Sequence, residues 1–144
     1  MFSSENLLGH FLVSTLELKN FNPRWYTKEA VISDRALYLY KVGSNYVHDA
    51  HQRLKIGGYK CQILHDLTMQ PYAKDLPPLD PEYNTVAELV NKDNLKRKLM
   101  GFPSDQKAAQ FLEVFNLVAS FSTFDAAVEE QIKNNKSPQK GMIQ

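Results

Sequence analysis

Before Ser104 the apolar residues of this chain fall in short β-branched and aromatic runs; after it they recur every three to four residues. That switch constrains the fold more than any other feature. Strands need a second layer over one face, and a single terminal helix is the only other element available to supply it. The first run, "GHFLVSTLEL" (9–18), reads as a strand. "NFNPR" follows as a loop in which Pro23 interrupts pairing. "WYTKEAVIS" and "ALYLYKV" flank Ser33-Asp34-Arg35 and make the clearest hairpin. In its second arm Leu37 and Leu39 alternate with Tyr38 and Tyr40, the period of a half-buried strand.

Residues 43–52, "GSNYVHDAHQ", read as a polar loop, and "RLKI" and "YKCQILHDLTM" as two more strands around Gly57-Gly58. "QPYAKDLPPLDPEYN" (70–84) holds four prolines and reads as a long, acidic, extended or polyproline-like connection. "TVAELVN" and "LKRKLMGF" form a second hairpin across "KDN". Strand alternation sets Lys96 and Lys98 on one face and Leu95, Arg97 and Leu99 on the other. From Ser104 the pattern is helical, with Ser104 as N-cap and Asp105 in the first turn. Phe111, Leu112, Phe115, Val118, Ala119 and Ser122 share its apolar face. The period continues weakly through Phe124, Val128 and Ile132 into the polar "KNNKSPQKGMIQ". The reading is therefore mainly β with one C-terminal α-helix: about seven antiparallel strands in a barrel or sandwich capped by that helix. Residues 1–123 make the domain, and 124–144 a helix extension and flexible polar tail.

At 144 residues the chain can bury a core without metals or disulfides. The net charge of +1 hides a gradient: residues 1–61 carry +3, 62–93 carry −4 and 94–144 carry +2. A basic side could thus meet an anionic partner. Cys61 is the only cysteine, which suits a reducing compartment. No apolar run is long enough to span a bilayer. "MFSSENLLGHFLV" lacks a basic n-region and carries Glu5, against a signal peptide, and Phe2 excludes myristoylation at this start.

With Gly9 opening the first strand, "AVISDRALYLY" leading into Leu37-Tyr38-Leu39-Tyr40, and a terminal helix, residues 9 to 121 resemble the pleckstrin homology (PH) family. Trp25 falls where the family often has its first tryptophan, and Phe111 stands for the usual helix tryptophan. The resemblance implies a non-enzymatic, cytoplasmic, peripheral membrane module without cofactors. It also implies a phosphoinositide site built from a lysine ending the first strand and a Lys/Arg-x-Arg pair opening the second. Those positions are Val13, Tyr26 and Lys28 here, or Asn22 and Arg24 in a second register. The thinned motif implies weakly selective, electrostatic binding, with phosphatidic acid as open a candidate as a phosphoinositide.

The expected lipid-binding residues are Lys19, Arg24 and Lys28 from the first loop and Lys41, Arg53 and Lys55 around the third, with Phe21 dipping into the membrane. Lys96, Arg97 and Lys98 could join them from a neighbouring loop. A solvated surface explains the same lysines and arginines equally well. The alternative function on this fold is a protein-interaction scaffold reached through the proline loop, the extended helix end or a sheet edge. His48, Asp49, His51, Cys61 and His65 lack the spacing of a metal set. No nucleophile–base set or phosphate loop is present, and the Gly-rich RNA-binding strand pattern is absent.

Overall fold

The computed structural model describes residues 6–43 and 50–136, and within them the side chains of all but 19, 50, 51, 122–130 and 133–136. The strands are β1 (Leu7–Lys19), β2 (Asn22–Ser33), β3 (Ala36–Lys41), β4 (Ala50–Lys55), β5 (Tyr59–Leu64), β6 (Thr85–Asn91) and β7 (Arg97–Phe102). They pair antiparallel in one sheet of order β4-β3-β2-β1-β7-β6-β5. One helix, α1 (Asp105–Lys136), follows. Seven strands closed by one helix is the expected fold class.

Alternation turns one face of the sheet toward a core shared with the helix. Phe11, Val13, Ala30, Ile32, Leu37, Leu39, Ala87, Leu89, Met100 and Phe102 point inward and meet Ala108, Phe111, Phe115 and Val118 of α1. The Phe111 ring lies edge-on to Phe11 at 5.5 Å and tilted against Phe102 at 4.9 Å. Burying each such ring contributes about 1.5–3 kcal/mol, so this aromatic group anchors the helix to the sheet. The helix starts where its chemistry says it should. Ser104 Oγ accepts from the Lys107 N–H at 3.1 Å, and Asp105 accepts from Thr85 Oγ1 at 2.8 Å.

Several local expectations are corrected. Pro23 lies inside β2, opposite Leu18. It is tolerated because β3 pairs β2 only as far as Lys28↔Lys41, so beyond that point one edge of β2 has no strand neighbour among the described residues. Tyr38 and Tyr40 are fully buried rather than half-exposed, packing with Val31 and Ala36 on the face opposite the core. β4 starts at Ala50, inside the expected polar loop, of which 44–49 lies outside the described residues. β5 stops at Leu64, because the backbone after it turns into the connection. β4 and β5 do not pair with each other; they are the two edges of the sheet, bridged by a 3-10 turn at Ile56–Gly58.

The proline-rich connection is not extended. It folds into 3-10 turns at Leu67–Met69, Ala73–Asp75 and Pro81–Tyr83, two of them capped by Asp66 and Asp80 side chains. It lies as a strap over the outer face of the sheet. Trp25 Nε1 donates to the Pro77 carbonyl at 3.1 Å, and Tyr72 Oη donates to Glu88 at 2.7 Å. A Cβ at Gly101 would run into the Tyr83 carbonyl oxygen, so the strap sits directly on β7 at that residue.

Candidate functional site

The β1–β2 and β6–β7 connections and the C-terminal end of β3 gather at one end of the sheet, and the inward-facing residues there are polar instead of apolar. Beyond Val13, the inner face of β1 continues as Thr15 and Glu17, which register against Tyr26 and Arg24 of β2. Lys28 registers against Val13 on one side and Lys41 on the other, so both lysines face inward. On β7 the inward residues continue outward from Met100 to Lys98.

Lys28 is held inside this mouth and not on an exposed rim. Its side chain is 5% exposed, its Nζ stands 3.6 Å from Glu17 Oε2, and the Tyr26 ring centroid is 5.9 Å away. Thr15 Oγ1 donates to the same Glu17 oxygen at 3.1 Å. Lys98 sits in the field of this pair. Burial lowers its pKa below the ordinary lysine value; Glu17 opposes that shift and the Lys28 charge reinforces it. Lys98 has no hydrogen-bonded or ion-paired partner among the described residues. Between Lys98, Lys96 and Arg97 of the β6–β7 hairpin and Leu16, Gln52, Leu54 and Tyr59 opens a cleft of ≈ 210 Å³ that also contains Asn91 and Asn94 and no carboxylate. It is smaller than the ≈ 300 Å³ at which pockets enclose small molecules, so it can seat only a small group that stays partly in solvent.

The sequence-predicted residues divide around this mouth. Arg24, Lys28 and Lys41 share its inner face. Lys19 lies at the end of β1, opposite Asn22, and its side chain is outside the described residues. Phe21 is 93% exposed at the hairpin tip. Arg53 and Lys55 are not brought together with the others. Arg53 registers with Tyr38 on the opposite face, donating to its hydroxyl at 3.1 Å, and Lys55 registers with Ala36 at the far end of the sheet. Gln52, one residue away, is the β4 side chain that reaches the cleft. Sequence reasoning had Lys96 and Lys98 only as possible additions and missed Gln52, Asn91 and Asn94; the parity of the "KRK" run was the usable signal.

Burial pushes the Cys61 thiol up to about 12, which leaves it protonated and unreactive. No group of three metal-ligating side chains occurs among the described residues. His48 and Asp49 lie outside the described residues, as does the His51 side chain.

Solved structures similar to this chain include PH domains. The C-terminal PH domain of pleckstrin superimposes with a TM-score of 0.59 over 80% of this chain and 98% of that one, at 6% identity. The chain has a PH-like fold. The Slm1 PH domain in complex with phosphoserine matches at a TM-score of 0.58 and 9% identity, over 79% of this chain and 96% of that one. The DH/PH fragment of PDZRHOGEF in complex with human RhoA matches at 0.55 and 5% identity, over 82% of this chain and 30% of that one. No family model and no curated protein matches the sequence. On this PH-like frame the basic mouth lies between the β1–β2 and β6–β7 connections, at the end of the sheet away from the Ser33–Ala36 turn.

Proposed function

We propose that this chain is a non-catalytic, peripheral membrane-binding module that takes the phosphate of an anionic phospholipid in the basic mouth of its PH-like domain. The observation that carries the reading is Lys98. It lines the cleft half-buried; burial and the Lys28 charge disfavour its ammonium form while Glu17 favours it, and an incoming phosphate adds a counter-charge there. Lys28, Lys41, Lys96 and Arg24 add charge around it, and Gln52, Asn91 and Asn94 add neutral donors. The phosphoserine complex of the Slm1 PH domain supports a phosphate group as ligand on this fold. No helix among the described residues is long and apolar enough to cross a membrane, so attachment through a helical span is not part of the reading.

The test is co-sedimentation with neutral, phosphatidic-acid and phosphoinositide vesicles, comparing wild type with Lys98→Met and Arg24→Glu. Pelleting confined to anionic vesicles, weakened at least tenfold by Lys98→Met and falling with salt, is the expected result. Equal pelleting on neutral and anionic vesicles sinks the proposal. A scaffold role has one observation of its own: Leu117 and Phe121 stand half-exposed on α1, which continues to Lys136. The RhoA complex of a similar fold is compatible with that second reading.

A further inference from the structure

The strap carries a motif that its docking does not use. Between its second and third turns, residues 76–80 run without helix or strand. Leu76 has φ −92° and ψ 144°, and Asp80 has φ −65° and ψ 125°. Prolines enforce that shape. Pro77, Pro78 and Pro81 fix their own φ, and they push the preceding Leu76, Pro77 and Asp80 into the extended region. The stretch is therefore a short left-handed polyproline helix, which repeats about every three residues.

That period sorts its side chains. Leu76 and Leu79 share one edge, and both are half-buried. On a second edge Pro77 is half-buried, and its carbonyl accepts from Trp25 Nε1 at 3.1 Å. Pro78 and Pro81 share the third edge, and both are exposed. They bound Pro78-Leu79-Asp80-Pro81, the Pro-x-x-Pro spacing that aromatic-lined grooves read in extended ligands. Anchoring the strap takes the leucines and the Pro77 carbonyl and leaves the Pro78–Pro81 edge turned to solvent.

The segment is also held ready. Tyr72 is bonded to Glu88 before it and Tyr83 sits on Gly101 after it, so little ordering remains to be done on binding. Its charge sets that of the partner. Residues 74–82 hold Lys74 against Asp75, Asp80 and Glu82, all exposed, so the groove that fits them has a basic rim.

We infer that the strap presents the Pro78–Pro81 edge as a preformed polyproline ligand to a protein domain whose aromatic-lined groove has a basic rim. This goes beyond the lipid reading and does not rest on it.

The experiment titrates the full chain with a panel of purified SH3 and WW domains chosen for basic groove rims. A domain of the panel is expected to bind wild type and to lose about tenfold in affinity with Pro78→Ala and with Pro81→Ala. Pro71→Ala, in the strap but off the motif, should bind as wild type does. Glu82→Gln should weaken binding, as should added salt. Trp25→Phe keeps an aromatic ring, removes the donor to Pro77 and should cost about threefold. Thermal midpoints of the variants separate lost binding from lost folding. Partition onto anionic vesicles should be the same in wild type and Pro78→Ala, so this inference and the lipid reading fail independently. Binding by no domain of the panel overturns the inference. Binding that survives both Pro78→Ala and Pro81→Ala also overturns it, because another surface then carries the contact.

Discussion

Arg97 and Lys98 are neighbours on one strand and face opposite sides of the sheet. Arg97 points outward under the strap. Its Nε donates to Glu88 at 2.9 Å, its guanidinium lies 4.7 Å from the Tyr72 ring centroid, and Glu88 also accepts from Tyr72 and from Gln62 at 3.0 Å. Burial alone would raise the Glu88 pKa, yet the three hydrogen bonds and the Arg97 charge outweigh it and hold the carboxyl below its usual range. Lys98 points inward, where Glu17 is already engaged with Lys28. The contrast separates two uses of a cation. One completes a satisfied network that fixes a long connection to the sheet, and the other keeps a charge with no hydrogen-bonded or ion-paired partner among the described residues.

The hardest way to break that comparison is to remove the outer carboxylate. Glu88→Ala leaves Arg97, Tyr72 and Gln62 around an empty position and is expected to lower unfolding stability by about 3 kcal/mol in urea titration. Vesicle binding should change far less than in Lys98→Met. Gly101→Ala tests the same strap without touching charge. Its methyl displaces the Tyr83 backbone, with an expected loss of about 1–3 kcal/mol, and a shift in Trp25 fluorescence should report the broken Pro77 contact. Lys98→Met should move the other way. Removing a cation that burial and Lys28 disfavour is expected to raise the thermal midpoint by about 2–4 °C while anion binding falls.

The smallest effect is the pH dependence of the strap. Glu88 has a depressed folded pKa, so its contribution is present above the ordinary carboxylate range and is lost as pH falls through the folded value. Tyr72 has its pKa raised to about 12, chiefly by burial and then by Glu88. Its contribution is therefore present below the free tyrosine value of ~10 and is lost as pH rises from there toward 12. Urea midpoints measured against pH should show the acid limb in wild type and a shallower one in Glu88→Gln.

Much of the architecture was legible in the residues themselves. The hairpins at "AVISDRALYLY" and "TVAELVNKDNLKRKLMGF", the Ser104 cap and the Phe111–Phe115–Val118 face all follow from spacing and cap chemistry. The site was half legible. Arg24, Lys28 and Lys41 do share a face, but whether a strand cation reaches a mouth depends on register, and register is fixed by pairing partners far away in sequence. A one-residue difference in parity places Gln52 in the cleft and Arg53 on Tyr38. The strap was illegible for a similar reason. Its prolines announce a connection, but Tyr72, Pro77 and Tyr83 are placed by what they dock on: Glu88, Trp25 and Gly101.

The sheet order has a consequence for how the molecule assembles. β1 through β4 pair with sequence neighbours and can zip as successive hairpins, yet the join to the other half is the short β1–β7 contact, in which Ser14 meets Gly101. On the ribosome, that seam must wait until nearly the whole domain has emerged. The inner face of β1 and β2 therefore stays uncovered through most of synthesis, and closure of the Ser14–Gly101 seam is expected to set the folding rate.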